Sequence, residues 1–118
     1  MKKIMIVDDV EISNFIMKKM ISKVSSGNEV FDYTLPEKAL ADIEKNNPDI
    51  IFLDLNMPDI DGWEFLKRMQ ENKLPNAVYV LTSSTSELDL QRSKTYTNVK
   101  DFLIKPLDLN KLGAILNG

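Results

Sequence analysis

The run DIIFLDLNMPDIDG spans residues 49–62 and is the most informative stretch of the chain. It contains four consecutive apolar residues, Ile50 to Leu53, with a proline just upstream at Pro48. A run of this kind, rich in β-branched and aromatic residues, is typical of a strand that is buried on both faces. Asp54 follows at the end of this strand, where a buried charge is costly. Asp54 is therefore either a structural capping or turn residue or a functional group.

Further apolar runs alternate with amphipathic patterns along the rest of the chain. Together with 50–53, they predict strands at 4–7, 30–33, 77–81 and 101–104. Helical patterns begin near Glu11, Pro36, Trp63, Ser86 and Leu109. Five strands that alternate with five helices predict an α/β fold, in which helices cover both faces of a mostly parallel sheet. No linker, repeat or low-complexity segment divides residues 1–118, which are expected to form one domain.

The first helix carries an apolar stripe formed by Ile12, Phe15, Ile16, Met20 and Val24. These positions recur at helical spacing, so this face is predicted to pack against the sheet. The remaining large apolar side chains are interpreted as core or core-edge filler, among them Trp63, Met17 and Met69.

The composition excludes several classes of catalytic and metal site. The chain has 118 residues, and it contains neither cysteine nor histidine. Without cysteine there is no disulfide framework and no thiolate metal site. Without histidine there is no His-based acid–base catalysis, no Ser-His-Asp triad and no basis for most zinc sites.

Charge and hydropathy limit the expected partners and location. The net charge is -3 and the lysines are scattered among acids, which argues against direct binding of nucleic acid. No apolar run approaches the length of a membrane span, and the run after Met1 is too short for a signal peptide. The chain is therefore expected to be cytoplasmic and not inserted in a membrane.

Polar side chains follow four of the predicted strands, at the point where each strand ends. They are Asp8, Asp9, Asp54, Thr82 and Lys105. Because the carboxyl ends of parallel strands meet at one edge of a sheet, we expect these side chains to lie together. Crowded carboxylates repel one another unless a cation joins them, and Mg²⁺ prefers such oxygen ligands. With a lysine and a hydroxyl nearby, they predict a phosphoryl-transfer site with a carboxylate nucleophile.

Each of these residues alone also has a simple structural interpretation. Asp8 and Asp9 could cap the first helix, and Thr82 could belong to a loop and N-cap cluster. Lys105 could be an ordinary surface residue, and Phe102 an ordinary core residue. The functional interpretation depends on all of these residues occurring together at the ends of the predicted strands.

The strand ends carry short motifs in a fixed order. They are the pair Asp8-Asp9, then Asp54 with Met57-Pro58 and Asp61-Gly62, then Thr82, and finally Phe102 three residues before Lys105-Pro106. In this order they resemble the receiver domain of two-component response regulators, over essentially the whole chain. The resemblance implies a flavodoxin-like, doubly wound sheet of strand order 2-1-3-4-5 between two helix layers. It also implies a signalling switch that acts only on its own phosphorylation and is not otherwise an enzyme.

The resemblance implies roles for individual residues. Asp54 would accept a phosphoryl group from a sensor histidine kinase or a histidine phosphotransfer protein. Asp9 would bind Mg²⁺ directly and Asp8 partly through water, while Asp54 and the backbone carbonyl of Asn56 would complete the metal site. Asn56 and Ser84 would tune the lifetime of the acyl phosphate.

The resemblance also implies how the switch would work. Thr82 and Lys105 would contact the phosphoryl group and move inward, and Phe102 would change from an outward to an inward position. The face formed by the fourth helix, fifth strand and fifth helix would then bind an unidentified downstream protein. The peptide bond before Pro106 is expected to be cis.

Two positions and the last helix depart from the pattern of the family. Ser83 stands where alanine or glycine is usual, and Asn98 where glycine is common before the fifth strand. The last helix carries only Lys111 and lacks the arginines that DNA-binding members often use for dimerisation. A monomer or a weak dimer is therefore expected.

Other functions use a similar set of residues. A phosphohydrolase of the haloacid-dehalogenase type also uses a strand-end aspartate with Mg²⁺, but it generally needs a second acid where Asn56 stands. A phosphate-independent interaction module would keep the fold and ignore phosphate, and the intact acids and lysine argue against it. A flavin-binding module is disfavoured because an acidic rim repels an anionic cofactor.

Overall fold

The computed structural model describes residues 2–57, 60–83 and 86–117. The strands are β1 (Lys3–Val7), β2 (Glu29–Tyr33), β3 (Ile50–Asp54), β4 (Ala77–Thr82) and β5 (Val99–Ile104). The helices are α1 (Glu11–Val24), α2 (Pro36–Asn46), α3 (Gly62–Glu71), α4 (Glu87–Ser93) and α5 (Leu109–Asn117). Every predicted strand and helix is present, and β5 begins two residues before its apolar run at 101–104.

The strands form one parallel sheet in the order β2-β1-β3-β4-β5. This confirms the predicted flavodoxin-like, doubly wound arrangement. The chain first builds outward from β1 to β2 and then in the opposite direction from β3 to β5, so the strand order reverses between β1 and β3. Ligands of such sheets bind at this switch point, outside the carboxyl ends of the strands.

Apolar clusters bury the sheet on both faces. Successive side chains of a strand point to opposite faces. Ile51 and Leu53 of β3 accordingly pack with α2 and α3, whereas Ile50 and Phe52 pack with α1 and α5. All residues of β3 are buried. This explains its continuous apolar sequence, and it places Asp54 at the end of a strand that is shielded along its whole length.

The prediction for the buried face of α1 is only partly correct. The buried residues of this helix are Asn14, Met17 and Ile21. Three residues of the predicted stripe are instead 60%, 54% and 53% exposed, namely Ile12, Phe15 and Ile16. Met20 and Val24 are partly buried and pack against the apolar cluster on the α1 and α5 side, as predicted. Both sets of positions have helical spacing, so the periodicity alone did not identify which face meets the sheet.

Several helix ends have the expected capping chemistry. Pro36 lies in the first turn of α2, and the hydroxyl of Ser86 accepts the Asp89 N–H at 3.4 Å at the start of α4. Asp61 caps α3 by accepting the Glu64 N–H at 2.9 Å. Within the described ranges, none of the helices combines the length and hydropathy that a membrane span requires.

Candidate functional site

Three carboxylates lie together at the carboxyl edge of the sheet, at the switch point. Asp8 and Asp9 follow β1, and Asp54 is the last residue of β3. One oxygen from each side chain lies within 4.8 Å of the others. Asp8 and Asp54 are only 6% and 7% exposed, and Asp9 is half-buried. The fold thus brings these residues, which are far apart in sequence, into one acidic group (Asp8, Asp9 and Asp54).

Lys105 reaches the acidic group from the end of β5. Its Nζ lies 3.0 Å from Oδ2 of Asp8 and 3.8 Å from Oδ1 of Asp54. Its backbone N–H donates to the carbonyl of Thr82 at 2.8 Å, and the Lys105–Pro106 peptide bond is cis. The ammonium offsets part of the negative charge of the acids and leaves an excess of carboxylates.

The surroundings of Asp54 disfavour its charged form. Burial is the largest influence and raises the pKa of its carboxyl above the usual 3.8, and the nearby charge of Asp8 raises it as well. Lys105 lowers this pKa, as does the Asn56 N–H, which donates to Oδ1 of Asp54 at 3.3 Å. The net pKa is raised, so a cation beside Asp54 would supply charge that the protein does not fully provide.

Backbone groups also orient Asp8. Its Oδ1 accepts the Val10 N–H at 2.9 Å, while its Oδ2 faces Lys105. The loop after β3 exposes the side chain of Asn56, whose backbone N–H is already directed at Asp54. Both loops therefore present their acids in defined orientations at the switch point.

Thr82 and Phe102 lie on the two strands that follow β3 across the sheet. Thr82 is the last residue of β4, which pairs with β3, and it is fully buried. Phe102 pairs with Val80 of β4 and packs, partly buried, against the apolar cluster on the α2 and α3 side. Ser84, predicted to tune the acyl phosphate lifetime, lies outside the described residues. The described candidates therefore form a continuous path from Asp54 across β4 to β5.

Gly62 supports the site in a way that the turn pattern did not reveal. A Cβ at this position would lie 2.6 Å from Cδ2 and 2.8 Å from Cα of Leu55, and 3.0 Å from the carbonyl oxygen of Asp54. The Gly62 N–H also donates to the Leu55 carbonyl at 2.9 Å. Glycine is required because the start of α3 lies directly against the backbone that carries Asp54. The Asp61-Gly62 pair was the available sequence signal, and it fits an ordinary turn equally well.

The acidic group fits a hard divalent cation. Each acid offers a carboxylate oxygen, and these oxygens lie within 4.8 Å of one another. Mg²⁺ is bound through one or two carboxylates, carbonyl oxygens and water, and it tolerates few nitrogen or sulfur ligands. Three carboxylates with one nearby lysine provide such oxygens together with an excess of negative charge.

Comparison of the sequence with known proteins gives a consistent result. Residues 4–117 match the response regulator receiver domain. The chain is 27% identical to chemotaxis protein CheY of Thermotoga maritima over 117 residues, which are 98% of this chain and 95% of CheY. It is 30% identical over 113 residues to PhoP, the alkaline phosphatase synthesis transcriptional regulatory protein of Bacillus subtilis. That match covers 96% of this chain but only 46% of PhoP. The chain likewise covers only 32% and 44% of the lengths of two other curated relatives.

Solved structures share the fold as well. Vibrio cholerae chemotaxis protein CheY4 superposes with a TM-score of 0.83 at 30% identity, covering 99% of this chain and 97% of CheY4. The strand order, the motifs at the strand ends and the matched residues 4–117 all point to the same assignment. The chain therefore belongs to the response regulator receiver domains of two-component signalling.

Proposed function

We propose that this chain is a phosphorylation-dependent switch in which Asp54 accepts the phosphoryl group. The acidic group at the switch point carries this proposal, because its oxygens lie within 4.8 Å of one another and Lys105 is only 3.8 Å from Asp54. The same arrangement would be poorly suited to a purely structural role, since crowded carboxylates destabilise a fold unless a cation joins them.

The phosphoryl donor would be a phosphorylated histidine of a sensor histidine kinase or a phosphotransfer protein. One oxygen of ionised Asp54 forms the new O–P bond while the N–P bond of the phosphohistidine breaks. The bonding electrons stay on the imidazole nitrogen, so an acyl phosphate forms with no redox change. Positioning and charge neutralisation supply the catalysis, and no histidine of this chain is needed.

The residues of the acidic group would divide the work of holding Mg²⁺. Asp9, Asp54 and the backbone carbonyl of Asn56 would bind it, and Asp8 would contribute partly through water. When bound, Mg²⁺ neutralises charge on the phosphoryl oxygens. Lys105 would turn from Asp8, now 3.0 Å away, to the phosphoryl group on Asp54.

The signal would leave the site along β4 and β5. The phosphoryl group would attract the hydroxyl of Thr82, and α4 would shift with it. Phe102 would move inward beside it and change the output face (α4, β5 and α5). This face already exposes apolar side chains, with Leu88 at 82% and Ile104 at 40%, that a downstream protein could cover.

The outward face of α1 favours a protein as the phosphoryl donor. Ile12, Phe15 and Ile16 are all more than half exposed, and α1 begins two residues after Asp9. Beside them an apolar cavity of about 320 Å³, lined by Ile16 and Leu107 among others, extends to Asp54. A protein that covered these side chains would bury apolar surface and keep water away from the reacting groups.

Intact-protein mass spectrometry tests the proposed function. After incubation with acetyl phosphate and Mg²⁺, the protein should gain the mass of one phosphoryl group. Neither Asp54→Asn nor the unaltered protein without Mg²⁺ should gain it. An unaltered protein that binds Mg²⁺ but stays unmodified would instead be a phosphate-independent interaction module.

A further inference from the structure

A buried asparagine lies directly behind the acidic group. Asn14, near the start of α1, is fully buried on the face that α1 turns to the sheet. Its neighbours along this face of the helix are the apolar residues Met17 and Ile21. Polar side chains are rarely buried in this way unless they form hydrogen bonds within the protein.

The amide of Asn14 joins two strand ends. Its Nδ2 donates to the carbonyl oxygen of Asp8 at 3.0 Å and to that of Tyr33 at 3.2 Å. The Tyr33 carbonyl also accepts the Asp8 N–H at 3.0 Å. Asn14 therefore connects the last residue of β2 with the turn that follows β1.

The contact with Asp8 fixes the peptide that leads into Asp9. The carbonyl of Asp8 and the N–H of Asp9 belong to one planar unit. A donor that holds this carbonyl therefore sets the orientation of the plane and the direction in which the backbone enters Asp9. Asn14 can thus position a carboxylate of the acidic group through the backbone.

The orientation and surroundings of the amide indicate that core stability is not its main contribution. Two carbonyl acceptors face it, so its NH₂ group must point toward them. Its Oδ1 is buried and has no hydrogen-bond partner within the described part of the chain. An unpaired buried oxygen destabilises the folded state, which offsets part of the stability that the two donated hydrogen bonds contribute.

We propose that Asn14 is a positioning residue for the cation site, which sets the Asp8–Asp9 peptide so that both carboxylates face Asp54. This rests on the proposed function, because it assumes that the acidic group binds Mg²⁺. Partners that orient metal ligands in this way typically contribute a factor of about 10 to 100 in metal affinity.

Isothermal titration calorimetry of Mg²⁺ binding tests the role of Asn14. Asn14→Leu keeps a similar shape and removes both donors, so the dissociation constant should rise by about tenfold or more. Asn14→Ser, which is shorter and polar, should also weaken binding and provides a second variant if the leucine protein does not fold. Urea unfolding without Mg²⁺ measures the stability of each variant.

Ile21→Val is the matched control, because Ile21 is a fully buried residue of the same helix that lies away from the acidic group. It should lower stability and leave Mg²⁺ affinity unchanged. Folded Asn14 variants that bind Mg²⁺ as tightly as the unaltered protein would overturn the proposal. If the unaltered protein binds no Mg²⁺, both the role of Asn14 and the proposed function fail. Calorimetry of the unaltered protein therefore distinguishes a failure of the proposed function from a failure of the Asn14 proposal alone.

Discussion

At the scale of single residues, Asp54 makes the stability of the fold depend on pH. Burial and the charge of Asp8 raise its pKa above the usual 3.8, so the folded protein holds this proton more tightly than the unfolded chain does. Between the usual and the raised pKa, the folded state binds more protons than the unfolded state. The free energy of unfolding therefore decreases as pH rises through this window, and it stays lower above the window.

Asp54→Asn removes this dependence because asparagine keeps the shape without the charge. In the absence of Mg²⁺ at neutral pH, the variant should have the higher free energy of unfolding. The difference should shrink as pH falls toward the usual pKa of an aspartate, where the carboxyl is protonated in both states. Urea unfolding at several pH values, with a chelator present, measures this difference. An unaltered protein whose free energy of unfolding equals or exceeds that of the variant at neutral pH would contradict the account.

The sequence predicted some site residues and not others, for physical reasons. Asp8, Asp54 and Lys105 were predictable because a parallel sheet brings the carboxyl ends of its strands to one edge. The contacts of Asn14 were not predictable, because it meets the backbone of Tyr33, which is remote in sequence. Gly62 was visible only as part of a turn motif, which does not reveal its close approach to Leu55.

At the scale of elements, the approach of α3 to β3 depends on Gly62. Gly62→Ala should destabilise the protein by about 1–3 kcal/mol, because its Cβ would meet the backbone and side chain of Leu55. It should also slow phosphorylation by acetyl phosphate, since the backbone of Asp54 and Leu55 must shift. Thermal unfolding and mass spectrometry measure these effects.

Gly113→Ala is the matched control for Gly62→Ala. Gly113 lies within α5, and a methyl group at this position would be in ordinary van der Waals contact with Cβ of Val24, at 3.8 Å. Alanine should therefore stabilise this helix by about 0.5–1 kcal/mol. Equal effects of the two substitutions would show that the contact with Leu55 imposes no constraint.

The outward face of α1 is expected to contact the protein that donates the phosphoryl group. Phe15→Ser should lower the rate of phosphotransfer from a phosphorylated histidine protein that acts on the unaltered chain, by roughly tenfold. Phosphorylation by acetyl phosphate should stay unchanged, because the small donor needs no docking surface. Leu88→Ser alters a more exposed apolar residue on α4 and should affect neither reaction. Equal loss with both donors would place the role of Phe15 in the fold instead.

The error for α1 has a specific cause. This helix has apolar residues on two faces. Ile12, Phe15 and Ile16 lie on the exposed face, whereas Asn14 interrupts the apolar pattern of the buried face. Periodicity identifies a helix with an apolar side, but it does not distinguish a face that packs against the sheet from one available to a partner.

At the scale of the whole molecule, the alternation of elements predicted a parallel sheet, and the family resemblance implied its strand order. The packing of α4 could be learned only from the structure. Among the seven residues of α4, Ser93 alone is buried. The guanidinium of Arg92 lies 4.5 Å from the ring centroid of Trp63, and this cation–π contact connects α4 to α3. A short helix with so little buried surface opens at low cost, as the proposed switch would require of α4.

Hydrogen–deuterium exchange of the unaltered protein and Asp54→Asn, each with Mg²⁺ and with or without acetyl phosphate, tests the central claim most directly. The account predicts that phosphorylation changes exchange in the output face, from α4 through α5, and that Asp54→Asn shows no change. A protein that mass spectrometry shows to be phosphorylated on Asp54, but whose output face exchanges as before, would contradict the account.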